Sequence, residues 1–262
     1  MTASIIQTAV ESHDAVLAKE ALREIDLRLG STVDSNERVY LFFSAASCCG
    51  ILRDFKRARE HLFLALQQQP DNPDTKLSFE FIGGLLCQEE GNYSAALERL
   101  TSVLSDHASR LKESEFRFMY EDIQLRRAFL LVTLSQFEDA IAIFREALSF
   151  NLADEDRGNA LAGLGRCYCE TDEWVLAKEC LGQALASGLT KEYERPSHFF
   201  FGMACFYTDD LIEAKREFEI CEERVAEFDL SIVDVYRWLS SVSGRLGETA
   251  ESERYARLAK IV

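Results

Sequence analysis

Cysteine and histidine are the residue types of this chain that could act as nucleophiles or metal ligands. The sequence contains eight cysteines and four histidines. Cys167 and Cys169 are separated by a single residue, whereas zinc and redox motifs place two residues between their cysteines. On a helix, side chains two residues apart point in very different directions and do not converge. We therefore expect free thiols that pack in the core as small apolar side chains.

The histidines and the clustered carboxylates also lack a catalytic arrangement. No His-Glu-x-x-His, nucleophile elbow, phosphate-binding glycine loop or dinucleotide fingerprint is present. The acidic runs at 154–156, 172–173 and 209–210 come before or at predicted helix starts, where carboxylates complement the helix dipole. None has the spacing of a calcium loop. The sequence thus predicts no catalytic residue, no metal site, no cofactor and no enzymatic activity.

The net charge restricts the classes of partner. The chain has 29 basic and 45 acidic residues, a formal charge of −16. Such a surface repels nucleic acid and anionic membranes. The first ten residues do not form a signal peptide, and no apolar run approaches the roughly 18 residues of a membrane span. We expect a cytoplasmic protein without a nucleic-acid partner or membrane insertion, either a monomer or a weak homodimer.

A periodic apolar stripe predicts the elements that carry these residues. An alanine marks its phase, with an aromatic residue or leucine three positions earlier, leucine or phenylalanine four positions later and a small residue seven positions later. This spacing is typical of the buried face of a helix. Another predicted helix precedes each stripe and has glycine or alanine where its neighbour must approach closely. The marker alanines are Ala58, Ala96, Ala140, Ala177 and Ala214.

The clearest unit resembles the tetratricopeptide-repeat (TPR) family. It reads Leu164-Gly165-x-x-Tyr168, followed by Ala177, Leu181 and Ala184. The resemblance implies an all-α fold, a right-handed α-solenoid, or superhelix, of antiparallel helix pairs. The predicted organisation is one TPR-like array over 1–262. It comprises a degenerate N-terminal capping helix pair at 2–30, TPR-like units at 39–72, 77–110, 121–154, 158–191 and 195–228, and a degenerate C-terminal unit at 233–262.

Prolines and the longest gap between marker alanines predict several helix boundaries. Pro73 and Pro196 are expected where first helices begin, because proline suits a first helical turn. Residues 104–111 are expected to extend the second helix of their unit, and the next helix is expected to begin near Ser114. Gly30 is expected to end the N-terminal capping pair.

The first helices of TPR arrays line a concave face, so the side chains that they do not use for packing form the candidate partner-binding groove. Most of these residues are apolar, and three are arginines. The family's charge clamp for C-terminal carboxylates is not expected, because it requires Lys, Asn and Arg on three successive units. The candidate groove residues are Phe43, Phe81, Leu85, Leu125, Arg126, Phe129, Arg166, Phe199, Phe200, Met203, Phe206 and Arg237.

Two functions are compatible with such a groove. One is a non-enzymatic protein–protein interaction module or scaffold that binds a peptide or amphipathic helix of a protein partner. The alternative is a binder or sensor of an apolar small molecule, such as an acyl chain, in the same groove. A structural interpretation competes with both, because curvature of the array or the N-terminal helices could cover these side chains.

Overall fold

The structure is a computed structural model that describes residues 5–12, 14–31, 33–113, 116–224 and 231–261. Every regular element within these ranges is a helix. The chain divides into two compact units, Met1–Ile123 and Gln124–Val262. In the described part of the chain, no helix is both long and apolar enough to cross a membrane.

The first unit consists of helix pairs joined by short turns. Each of the pairs α1–α2, α3–α4 and α5–α6 packs side by side, and α3 also packs against α2 and α5. The helices are α1 Ile5–Ser12, α2 Ala15–Leu29, α3 Ser35–Ile51, α4 Phe55–Gln68, α5 Pro73–Glu89, α6 Tyr93–Asp106 and the four-residue α7 Ala108–Leu111. The boundary between the units falls within the next helix, α8 Arg117–Thr133.

The second unit continues the same pairing. Here α10 packs with α11, α12 with α13 and α14 with α15, and neighbouring pairs contact one another through α11–α12 and α13–α14. The helices are α9 Phe137–Ala147, α10 Asp154–Glu170, α11 Trp174–Ser187, α12 Lys191–Tyr207, α13 Leu211–Glu223, α14 Ile232–Arg245 and α15 Thr249–Ile261. The predicted all-α class of paired helices is therefore confirmed.

From the marker alanine onward, the predicted apolar stripe is the buried face of the second helix in the five pairs that carry a marker, whereas the residues three positions before the markers are half-buried or, at Tyr93, exposed. All five marker alanines have no exposed surface, and neither do the small residues seven positions after them. The large residues four positions after the markers are also buried, with at most 3% of their surface exposed. These larger residues are Leu62, Leu100, Phe144, Leu181 and Phe218.

Glycines on the first helices allow these large side chains to pack against the backbone. A Cβ built on Gly165 would lie 2.5 Å from Cγ of Leu181, and one built on Gly84 would lie 2.8 Å from Leu100. Both distances are too short for real contacts between carbon atoms. The predicted close approach of neighbouring helices is confirmed at these positions.

Some predicted helix boundaries need correction. Pro73 is the first residue of α5, as expected, and Gly30 follows the last residue of α2. Pro196, however, lies inside α12, which begins five residues earlier at Lys191. Its missing N–H removes only the bond to the Glu192 carbonyl, near the start of the helix, so the helix tolerates it.

The connection after α6 also differs from the prediction. The second helix of that pair ends at Asp106 instead of continuing to 111, and the short α7 follows. Arg110 on α7 donates to both carboxylate oxygens of Asp74 on α5, at 2.6 and 2.7 Å. This bidentate pair holds α7 against α5. The predicted helix start near Ser114 lies outside the described residues.

Candidate functional site

The cysteines have the properties of core residues rather than of nucleophiles. All eight are free thiols, six of them buried and two half-buried. Burial raises the pKa of Cys48, Cys49 and Cys180 to about 11 and that of Cys167, Cys169, Cys205 and Cys221 to about 12. A thiol with a raised pKa remains protonated near neutral pH and is a poor nucleophile. The predicted role in core packing is confirmed for the six buried cysteines.

Two of the described histidines contact glutamates, and His61 has a buried Nδ1 without a hydrogen-bond partner. His107 Nε2 lies 3.0 Å from Glu80 Oε2, and His198 Nδ1 lies 2.6 Å from an oxygen of the buried Glu217. His13 lies outside the described residues. Among those that are described, no group of three or more His, Cys, Asp or Glu side chains could hold a metal ion.

In the first unit, the candidate groove residues on α3 and α5 are partly covered. Phe43, Phe81 and Leu85 are all half-buried. Phe43 lines a pocket of about 310 Å³, to which α1 contributes Val10 and two polar side chains. Helix α1 thus covers part of this α3 face, which agrees with the structural interpretation that the N-terminal helices cover these side chains.

In the second unit, a pocket of about 210 Å³ brings together three of the candidate residues, Phe129, Arg166 and Phe200. They come from three successive first helices, α8, α10 and α12. We call this site the arginine pocket. Its lining residues are Phe129, Val132 and Thr133 of α8, Ala162, Gly163 and Arg166 of α10, and Glu192, Tyr193, Pro196, Ser197 and Phe200 of α12.

Aromatic rings form the apolar wall of the arginine pocket. The ring of Phe129 lies 4.9 Å from that of Tyr193 and 5.0 Å from that of Phe144, measured between centroids. A Cβ on Gly163 would lie 2.5 Å from the Phe144 ring and 3.0 Å from the Phe129 ring, so only glycine lets both rings pack there. Burial raises the pKa of Tyr193 to about 12, which keeps its phenol neutral.

Arg166 supplies a positive charge to this wall without a hydrogen-bonding partner. Its guanidinium carbon lies 5.5 Å from the centre of the Phe200 ring, a cation–π contact. Its Nε is buried and has no hydrogen-bond acceptor, and the nearest carboxylate oxygen, from Glu170, is 4.0 Å away. By contrast, Arg145 on α9 donates to the Tyr168 hydroxyl at 2.8 Å. The Arg166 side chain is 43% exposed, so its other guanidinium N–H groups, rather than the buried Nε, are open to a ligand.

Three candidate residues on α12 pack into the protein instead of lining a groove. Phe199, Met203 and Phe206 all belong to the apolar cluster around α13 and α14. The Phe199 ring lies 5.7 Å from that of Phe218, and the Phe206 ring lies 5.2 Å from that of Trp238. In this part of α12, neighbouring helices therefore cover the side chains, as the structural interpretation of the sequence expected.

The remaining candidates do not line the arginine pocket. Leu125 and Arg126 are half-buried on α8. Arg126 is close enough to Tyr193 to lower the pKa of its phenol, although burial has the larger, opposite effect. Arg237 is exposed on α14 and donates to Asp234 at 2.9 Å. The structure therefore assembles three of the twelve candidates in this pocket.

Tyr193 and Glu192 are pocket residues that the sequence did not predict, because the pattern indicated a helix start at Pro196. The structure begins α12 at Lys191, and its first turn carries Tyr193 onto Phe129. Two glutamates in that turn, Glu192 and Glu194, are the sequence signal that could have indicated the earlier start, since acidic residues favour helix N-termini.

Solved structures of other proteins share this arrangement of helices. The apo form of RapI matches with a TM-score of 0.75 and 13% identity, over 97% of this chain and 73% of RapI. The apo form of the quorum sensor NprR from B. thuringiensis matches with a TM-score of 0.65 and 14% identity, over 97% of this chain and 84% of NprR. A tetratricopeptide repeat protein from Parabacteroides merdae matches with a TM-score of 0.58 and 19% identity, over 84% of this chain and 77% of that protein.

The fold is that of a TPR protein. The resemblance seen around Gly165 and Ala177 is thereby confirmed as a fold. No protein-family model and no curated protein sequence matches the chain. In this TPR fold, the arginine pocket is built from the last turns of α8, the middle of α10 and the N-terminal part of α12.

Proposed function

We propose that this chain is a non-enzymatic protein-interaction module whose second unit binds a segment of a protein partner in the arginine pocket. The observation that carries the proposal is the combination within one pocket of an aromatic wall and an arginine with no hydrogen-bond acceptor. An apolar surface with a few well-placed polar groups is typical of a binding site. Repeat proteins use the surfaces of stacked units in this way.

The size of the arginine pocket favours a side chain of a peptide over a whole small molecule. Pockets for small molecules usually have volumes of about 300–1,000 Å³. At about 210 Å³, the arginine pocket is smaller than that range. An acyl chain would have to leave most of its length outside, whereas a peptide segment can insert one large side chain and lie across the surrounding surface. The peptide is therefore the better supported ligand.

The chemistry of the described residues supports binding rather than catalysis. Burial raises the pKa of seven of the eight cysteines and so keeps those thiols protonated, and two of the histidines each contact a glutamate. Arg166 and the aromatic rings around it can position a ligand, but none of them is a general base or nucleophile near neutral pH. NprR, which shares the fold, is a quorum sensor, and a sensor also acts through binding.

Filling the pocket would test this function without removing core contacts. Thr133 is exposed, is the last residue of α8 and lies on the rim of the pocket, so Thr133→Trp would place a large ring over the entrance. Glu89 is exposed and is the last residue of α5 in the first unit, seven residues before its marker alanine, as Thr133 is. Glu89→Trp is therefore a matched control.

The measurement is quantitative capture of proteins from source lysate by the full 262-residue chain. We expect Thr133→Trp to lose specific proteins that both the wild type and Glu89→Trp retain, with melting temperatures unchanged. If a folded Thr133→Trp variant captures the same proteins in the same amounts as the wild type, the arginine pocket is not the binding site.

A further inference from the structure

The charged side chains that line the arginine pocket are one cation, Arg166, and one carboxylate, Glu192. Although the chain carries a net charge of −16, the pocket residue whose N–H donors lack an acceptor is the cationic Arg166. Glu192 also lines the pocket, but it lies beyond the 4.0 Å that defines an ion pair with Arg166. Within the described part of the chain, the one carboxylate that forms an ion pair with Arg166 is that of Glu170, which at 4.0 Å is too distant for a hydrogen bond.

Two hydroxyl groups around the pocket are already engaged. The Ser197 hydroxyl donates to the Tyr193 carbonyl at 2.6 Å, and the Thr133 hydroxyl donates to the Phe129 carbonyl at 3.0 Å. Most of the wall is helix interior, where backbone N–H groups are used within the helices. In the first turn of α12, the N–H groups of Tyr193 and Glu194 both donate to the Thr190 carbonyl, at 3.0 and 2.9 Å. Among the described lining residues, Arg166 is therefore the donor best placed to receive an anion.

This distribution of donors distinguishes two kinds of carboxylate. A C-terminal carboxylate is commonly captured in a nest of backbone N–H groups. The first turn of α12 is the one helix start in the described part of this wall, and its Tyr193 and Glu194 N–H groups are already bonded to the Thr190 carbonyl. An acidic side chain needs only the planar fork of one arginine. The Phe129–Tyr193 wall in the same pocket would accommodate an apolar side chain next to it.

We propose that Arg166 selects a partner segment in which an Asp or Glu side chain is next to an aromatic or aliphatic residue. The acidic side chain binds the Arg166 guanidinium, and the apolar residue packs against Phe129 and Tyr193. The Phe200 ring keeps the guanidinium in position through the cation–π contact. This specificity rests on the proposed function, since it assumes that the pocket binds a peptide segment.

A selection from a random peptide library, displayed against the full chain, would test the specificity. We expect the wild-type protein to enrich peptides with adjacent apolar and acidic residues. Arg166→Leu should keep the apolar preference and lose the acidic one, and Arg166→Glu should enrich lysine or arginine instead. Arg157→Leu is the matched control, because it removes the same charge from an exposed position on the same helix, away from the pocket.

Affinities of one selected peptide would then measure the contribution of the ion pair. Replacing its acidic residue by Gln or Asn should weaken binding to the wild type about 10- to 100-fold, as expected for a hydrogen bond to a charged group. The same replacement should have little effect on binding to Arg166→Leu. Amidation of the peptide's C-terminus should leave the affinity unchanged.

The outcomes separate this proposal from the function on which it rests. If Thr133→Trp abolishes binding of the selected peptides but they show no acidic preference, the pocket binds peptides and the proposed specificity is wrong. If amidation of the C-terminus weakens binding and replacement of the acidic side chain does not, the ligand is a terminal carboxylate and the proposal is overturned. If no selected peptide is sensitive to Thr133→Trp, both proposals fail.

Discussion

At the scale of single residues, a close contact between glycine and a large side chain fixes the geometry of three helix pairs. Gly84, Gly165 and Gly202 all face a large side chain sixteen positions later in the sequence. Glycine costs about 1 kcal/mol relative to alanine within a helix. The offset comes from burying leucine or phenylalanine against bare backbone, which contributes roughly 1.5–3 kcal/mol per side chain. The packing gain is larger, so glycine is favoured at these positions.

Two glycines in one helix pair provide a direct test of this balance. Gly165→Ala would place a methyl group 2.5 Å from Leu181, and we expect overpacking to destabilise the fold by about 1–3 kcal/mol. Gly182→Ala, on α11, would meet the Phe201 ring at an ordinary 3.5 Å, so its higher helix propensity should stabilise the fold by up to about 1 kcal/mol. Urea denaturation measures both. Equal effects of the two substitutions would mean that the contact with Leu181 does not determine the residue at 165.

Residues were predictable from the sequence where a repeated pattern constrains them. The stripe around Ala177 recurs in phase, so its burial could be predicted. Arg166 could be placed on the lining by counting from Gly165, but its lack of an acceptor depends on where Glu170 and Glu192 lie in three dimensions. Tyr193 belongs to the pocket only because α12 begins before its proline. The position at which α12 begins thus determines whether Tyr193 forms part of the aromatic wall of the site.

At the scale of elements, the turn between the two helices of a pair repeats the same backbone geometry. In six pairs, the residue at the turn has a positive φ between 58° and 81°. The residue after it donates its N–H to the carbonyl five positions earlier at 2.8–2.9 Å. This is the Schellman arrangement that closes a helix C-terminus. The turn residues are Arg53, Gly91, Ser135, Asp172, Asp209 and Gly247.

The positive φ explains why glycine suits this turn. Gly91 has φ +79°, and a Cβ added there would meet nothing within 4 Å, so any cost of Gly91→Ala must come from the backbone. We expect Gly91→Ala to destabilise the fold by about 1 kcal/mol, since the left-handed region costs other residues about 1–2 kcal/mol. Gly30→Ala is the control, because Gly30 has φ −74° and its Cβ would make only an ordinary contact.

Thermal and chemical denaturation of the two variants would check this expectation. A cost at residue 91 together with a neutral effect at residue 30 would assign the loss to the left-handed backbone. Equal losses would show that the side-chain environment, and not φ, matters at these turns. Four of the six turn residues are not glycine. The turn therefore has no single-residue signature in the sequence, and its register follows from the marker alanine five residues later.

The pairing of elements was predictable for the same reason, and the irregular connections were not. Helix pairs follow from an apolar stripe of period 3.6 that repeats at least five times. The break between α6 and α7 depends instead on the contact of Arg110 with Asp74, 36 residues away in the sequence. Contacts between residues so far apart leave no local pattern, which is why the sequence predicted one continuous helix there.

At the scale of the whole chain, the charge of −16 opposes folding through self-repulsion. Cross-helix ion pairs, such as Lys178–Asp210 at 2.8 Å and Arg245–Asp209 at 2.6 Å, offset only part of this repulsion. Exposed pairs typically contribute about 0–1 kcal/mol each. The chain has 45 acidic and 29 basic side chains, so even if every basic side chain were paired, a charge of −16 would remain.

Salt should therefore stabilise this protein. The Debye length falls from about 30 Å at 0.01 M salt to about 3 Å at 1 M, so salt screens the long-range repulsion between carboxylates. Salt also weakens the exposed ion pairs, but repulsion among the excess acidic groups is the larger effect. We expect the melting temperature, followed by circular dichroism at pH 7, to rise by several degrees between 0.01 and 1 M NaCl.

Choline chloride should produce the same rise, because screening does not depend on the identity of the cation. A rise with sodium alone would indicate specific cation binding, and a fall with either salt would mean that the ion pairs between helices contribute more than the repulsion costs.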